Sequence, residues 1–177
     1  MHMTKGARPA FTKVFAALNK STLRSAILQQ LRQELSRSVG AASLARDEAI
    51  SEESRAENKW DTHSQEAAYL AEGQARQAAA VGESIEVFGS LPLPAFAPDA
   101  VIATGAVVEL VDARERRSWY LIGPRAGGLE VEAEGRRVLV VTPHSPLGRQ
   151  LLGRRAGEQV AAPGRGPGAG QRIAAVY

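Results

Sequence analysis

The residues best placed to do chemistry are six carboxylates crowded into one short window. Asp47, Glu48, Glu52, Glu53, Glu57 and Asp61 are balanced there only by Arg55 and Lys59, in a chain whose formal net charge is +3. Carboxylates this close repel one another, so grouping them costs stability unless a cation or a basic partner offsets it. A pair of them can complete the shell of a magnesium ion that already has other ligands, because that ion takes only one or two protein carboxylates. Delivery of negative charge into a cationic or metal-bearing cavity is the chemistry open to this window. The plainer alternative is a solvated turn that simply favours charge.

Other candidates fall away on inspection. The chain has no cysteine, which excludes disulfides, thiolate metal sites and thiol nucleophiles and fits a reducing cytoplasm. His63 and His144 are isolated, neither at metal-ligand spacing from another histidine. Gly164, Gly166, Gly168 and Gly170 form a row, but a strand-like run follows where a phosphate-cradling loop would open a helix, so a hairpin loop is expected. No nucleophile, base and orienting acid can be assembled. Aromatic residues make up 5% of the chain and do not interleave its basic stretches as a base-stacking platform would, so direct nucleic-acid binding is not the first expectation. No run approaches the ~20 apolar residues of a membrane span.

Two kinds of element must carry the acidic window. Over residues 23–50 the stripe Leu28, Leu31, Leu35, Val39, Ala42, Ala45 and Ala49 repeats at helical steps, with Ser21 or Thr22 as a cap. A second helical pattern over residues 64–88 runs through Ala67, Leu70, Ala71, Ala75, Ala78, Gly82, Ile85 and Phe88. Small residues on both stripes predict an antiparallel coiled-coil hairpin over residues 1–91, with its acidic tip at 51–63. Residues 92–97, punctuated by Pro92 and Pro94, read as a linker. Beyond it, residues 98–177 alternate in β fashion. One short helix interrupts them: Ser145 precedes Pro146 at the first helical position, and Gly153 ends the run. The expected class is α+β, a helical hairpin followed by a half-barrel of antiparallel strands with that one helix.

The segment Ser145-Pro146-Leu147-Gly148-Arg149-Gln150-Leu151-Leu152-Gly153, with Arg154-Arg155-Ala156-Gly157-Glu158-Gln159-Val160 after it, resembles the C-terminal signature of the GreA/GreB transcription elongation factors. The runs at residues 105–112 and 120–124 are similar to strands of the same domain, so the likeness spans residues 98–177. The resemblance implies an FKBP-like C-terminal domain and a monomeric cytoplasmic factor that binds bacterial RNA polymerase. It implies an acidic finger in the secondary channel of that enzyme, and the DNA-binding description the family carries. Any transcript cleavage would then be catalysed by the polymerase and its magnesium, with no cofactor of the chain's own.

The resemblance also assigns residues. Ser145, Pro146, Leu147, Arg149, Arg154 and Arg155 would form the polymerase-binding anchor. At the tip, Glu52, Glu53, Glu57, Asn58 and Asp61 are the candidates, with Glu53 and Glu57 as ligands to the shared magnesium. The family places an Asp three residues before the Glu-Asn pair. Here Glu57-Asn58 matches, but the Asp position is Ser54 and Glu53 lies one residue away. The expected outcome is modulation of elongation with weak or no cleavage stimulation. A true cleavage factor, an FKBP-like prolyl isomerase and a coiled-coil adaptor are the alternatives.

Overall fold

The computed structural model describes residues 18–53, 62–161 and 170–177. Two long helices, α1 (Lys20–Glu53) and α2 (Thr62–Ser90), pack against each other as a hairpin. Asn19 caps α1 in place of the expected Ser21 or Thr22. Its Oδ1 accepts from the Ser21 amide at 2.9 Å and from the Thr22 amide at 3.4 Å, answering amides a helix start leaves unpaired.

The seam of the hairpin changes character along its length. Near the root it is bulky: Leu23, Ile27, Leu31, Val81 and Phe88 are buried. Further out it runs through Ser38 and Ala45, with Ala42, Ala71, Gln74 and Ala78 half-buried. Positions 31, 35, 38, 42 and 45 follow the four-three alternation of a coiled coil, whose period of 3.5 keeps one stripe facing the partner. That alternation selects Ser38 and leaves Val39, expected in the stripe, more than half exposed. Leu70 and Ala75 are likewise exposed, while Gln74 and Val81 take the inward positions.

Six strands follow: β1 (Val107–Val111), β2 (Arg117–Ile122), β3 (Glu130–Ala133), β4 (Arg136–Val141), β5 (Gln159–Ala161) and β6 (Gly170–Val176), with α3 (Pro146–Leu151) after β4. They form one sheet in the order β3-β4-β2-β1-β6-β5. The hairpin followed by a sheet with one short helix is the expected α+β arrangement, with one correction. The strands are not all antiparallel, because β2 and β4 run parallel, with Trp119 opposite Val138 and Ile122 opposite Val141. Both strands carry apolar residues on both faces (Leu121 and Ile122; Val138, Val140 and Val141) and so belong in the middle of the sheet. β3 alternates glutamate with small apolar residues and lies at the edge beyond β4. β5, three residues long, was too short to stand out in the sequence.

The sheet lies between two apolar layers. On one face Val107, Leu121, Val131, Val138 and Val140 join Leu23, Ile27, Leu31, Val81 and Phe88 of the hairpin root in one core. On the other, Val108, Leu110, Ile122, Val141 and Ile173 meet Ile102 and α3. Alternate residues of β1, β2 and β4 thus go to opposite layers, as the strand period of two requires. Gly123 sits where the hairpin comes nearest, since a Cβ there would stand 2.9 Å from both Phe88 Cζ and Val140 Cγ1.

The helical glycines do no comparable work. A Cβ on Gly40, Gly73 or Gly82 would meet nothing within 4 Å, so close backbone approach does not explain them. Replacing Gly40 and Gly73 by alanine should stabilise the chain by about 0.5–1 kcal/mol each, because alanine loses less backbone freedom in a helix. Thermal unfolding followed by helical circular dichroism should show a raised midpoint for the double variant.

Candidate functional site

The anchor helix α3 is built from its first turn. Ser145 accepts from the Gly148 amide at 3.0 Å through its hydroxyl oxygen and donates that hydroxyl to the Thr142 carbonyl at 2.8 Å. Pro146 occupies the first turn, where its missing amide leaves nothing unpaired. Leu147 and Leu151 point into the second core. Gly148 is forced, because a Cβ on it would fall 1.9 Å from the Thr142 carbonyl oxygen.

The three expected arginines stand exposed on this anchor, each oriented by a backbone carbonyl. Arg149 donates to His144 O, Arg155 to Asp99 O, and Arg154 to Gln150 O at 2.9 Å. Arg154 also pairs with Glu158 at 3.0 Å, and Glu158 accepts from the Arg155 amide at 2.9 Å. The Gly157-Glu158 step thus closes the turn after α3, with Gly157 at φ +92. Ser145, Pro146 and Leu147 build the ridge, and Arg149, Arg154 and Arg155 supply its charge, which Glu158 partly offsets. Such a ridge can hold a carboxylate-bearing surface with the arginine forks already aimed.

The tip is a different matter. Glu57, Asn58 and Asp61 lie outside the described residues, and so do the side chains of Glu52 and Glu53, whose backbone closes α1. The magnesium pair Glu53 and Glu57 therefore falls there too. Among the described residues no three of His, Cys, Asp or Glu converge as a metal site. Among them no helix is long and apolar enough to cross a membrane.

Two clusters went unread in the sequence. Glu109, 2% exposed, is buried in β1, where Arg117 pairs with it and the Tyr177 hydroxyl donates to it at 3.1 Å. Burial, reinforced by the Glu109 charge, raises the Tyr177 phenol above its usual range. A glutamate between Val108 and Leu110 was the available signal, because a charge in a strand apolar on both faces needs a partner. The second cluster ties the finger down. Lys20 donates to Pro94 O and, at 2.9 Å, to Gly105 O, with its ammonium 4.6 Å from the centre of the Phe96 ring. Arg24 donates to Leu91 O. Nothing in the one-dimensional pattern pairs Lys20 with residues more than seventy positions away.

No protein-family model matches this chain, and no curated protein does. Its neighbours among solved structures are transcription factors. A structure of the transcription factor Gfh1 is 23% identical, covering 86% of this chain and 94% of its own, at a TM-score of 0.36. The Gfh1 protein of Thermus thermophilus, described as a GreA factor homolog, is 20% identical over 85% of this chain and 94% of its own, at a TM-score of 0.35. A prokaryotic elongation factor GreA/GreB from Nitrosomonas europaea is 17% identical over 64% of this chain and 92% of its own, at a TM-score of 0.34.

Two outcomes follow from the geometry. Gly148→Ala should cost about 2 kcal/mol or more, since a backbone carbonyl cannot give way as a side chain can, and should lower the urea midpoint. The second concerns Lys20, whose ammonium burial pulls down from 10.5 to about 8. Below about 8 both folded and unfolded chains hold its proton, and the burial cost is fully present. Between about 8 and 10.5 the unfolded chain binds more protons, so this group's contribution to stability rises with pH. The neutral amine keeps two donors for its two carbonyls. Relative to Lys20→Met, the natural chain should gain stability between about pH 7 and about pH 10, read as a shift in urea midpoints.

Proposed function

We propose that this chain is an accessory regulator of transcription elongation. It docks on bacterial RNA polymerase through the β-rich part and reaches into the secondary channel with the hairpin. The observation that carries this reading is a long helical finger rooted in the core of a sheet, whose first helix runs out through the acid-rich stretch that begins at Asp47. α1 spans 34 residues and α2 29, while the shared core with the sheet takes in only their root ends. From Leu35 to the end of α1 the finger extends about 27 Å beyond that core, at ~1.5 Å per residue. A projection of this kind buries little for itself, and its use lies in reach. The Ser145–Gly153 likeness to the GreA/GreB signature and the exposed arginine ridge support the docking half of the proposal.

The chain acts as a monomer in the cytoplasm, and the polymerase supplies the catalytic magnesium. Stimulation of transcript cleavage is weak or absent. This rests on the sequence alone: the family's Asp position holds Ser54, the nearest acid, Glu53, is one residue off, and one residue along a helix corresponds to a turn of ~100°. Charge and reach still suffice to occupy the channel and change the elongation rate.

Purified chain added to backtracked transcription complexes should alter elongation with little cleavage, and Ser54→Asp should raise cleavage. Reversing Arg149, Arg154 and Arg155 to glutamate should weaken polymerase binding by about tenfold or more without unfolding the chain, read by far-ultraviolet circular dichroism, as loss of oriented charge predicts. Robust cleavage by the natural chain, abolished by Glu57→Ala, would identify a true cleavage factor instead. Failure to retain polymerase at all would favour the coiled-coil adaptor.

A further inference from the structure

One edge strand of the sheet, β3, has no strand on its outer side, with α1 packed over its apolar face, and the docking reading does not use it. β3 and β4 are joined by Glu134 (φ 52) and Gly135 (φ +69), a two-residue turn with both central φ values positive. Such a turn closes on a doubly bonded pair, here Ala133 and Arg136. Bonded and non-bonded pairs alternate in an antiparallel ladder, so Val131 and Val138 form the next bonded pair. The amides and carbonyls of Glu130 and Glu132 therefore point away from β4. Among the described residues nothing pairs with them, and both residues are exposed.

A cleft of about 600 Å³ opens at the start of this edge, between the hairpin and the 125–130 loop. Gln30, Glu34 and Gln77 line it from the helices, Leu129 from the loop and Glu130 from the start of β3. Arg125, the one arginine among its described lining residues, is held by Glu83 at 2.6 Å. Arg137 reaches Glu130 at 3.2 Å, and Glu134 accepts from the Asn19 amide at 3.4 Å. Five carboxylates along cleft and edge (Glu34, Glu83, Glu130, Glu132 and Glu134) outnumber three arginines (Arg125, Arg136 and Arg137), and Arg117, which shares a surface with Glu130 and Arg137, is paired with Glu109.

We infer that this edge and cleft bind an extended basic segment of a partner polypeptide by strand addition. Backbone bonds to Glu130 and Glu132 would supply the affinity, and lysine or arginine at alternate positions, beside those two carboxylates, the selectivity. A second copy of this chain is a poor occupant, because β3 against β3 sets glutamate beside glutamate. An acidic segment fails for the same reason. The inference stands apart from the docking reading, since it involves neither the arginine ridge nor the acidic tip.

The test titrates isotope-labelled full chain with a short peptide alternating lysine and threonine, with a glutamate-threonine peptide as control. Saturable amide shifts confined to residues 128–134 and the cleft, with the basic peptide only, are expected. Glu132→Pro removes an outward amide without touching the β4 ladder, and should weaken binding about tenfold, the worth of one such hydrogen bond. Should that variant misfold, Glu130→Lys with Glu132→Lys keeps the strand and should exchange the preference to the acidic peptide. Absence of saturable shifts, shifts confined to the acidic finger, or an unaltered preference in the lysine variant would each overturn the inference.

Discussion

The ring of Phe88 lies against Gly123, and no side chain larger than hydrogen fits between them. Around that contact Leu23, Ile27 and Leu31 from one helix, and Val81 from the other, meet Leu121, Val138 and Val140 of the sheet. A fully buried side chain of this size contributes roughly 1.5–3 kcal/mol relative to an exposed one. Neither the hairpin nor that face of the sheet would otherwise be covered. The polar bonds around the rim (Lys20 to Pro94 and Gly105, Arg24 to Leu91, Arg125 to Glu83) then set the angle at which the finger leaves. Apolar burial makes the joint, and directional bonds aim it.

What the sequence reveals of this fold depends on the range of the interaction. The two helices, the Ser145-Pro146 start of α3 and most strands follow from local periodicity and capping, and they could be read directly. The parallel pairing of β2 with β4 could not, because it arises from two strands competing for the centre of the sheet. Ser38 in the seam, with Val39 outside it, depends on a coiled-coil period that differs from the simple helical repeat by a tenth of a residue per turn. Exposure of Arg149, Arg154 and Arg155 was legible from the spacing of the apolar residues that hold α3 down. The carbonyls that aim them were not, since Asp99 lies 56 positions from Arg155. Buried Glu109 was visible as an anomaly, but its partners were not.

Charge is distributed with the same division between local and distant. Arg149 stands on a short helix whose start is fixed by Ser145 and Gly148, and Arg154 and Arg155 follow on the turn after it, so these charges are oriented in advance. The edge strand carries glutamates where an unpaired strand would otherwise invite its own kind, a common protection for exposed edges. In both places the backbone that carries the charge is held by hydrogen bonds to its neighbours.

The graded seam of the hairpin makes its reach a countable property. All the bulky contacts lie at the root, and the outer part repeats small residues in heptads, so the outer part can change length without disturbing the joint. Removing one heptad from each helix beyond Leu35 would shorten the finger by about 10 Å and keep the seam in register. A removal that is not a whole number of heptads would rotate the far end relative to the sheet. Length variation in this finger is therefore quantised, and the distance its far end stands from the sheet changes by whole steps.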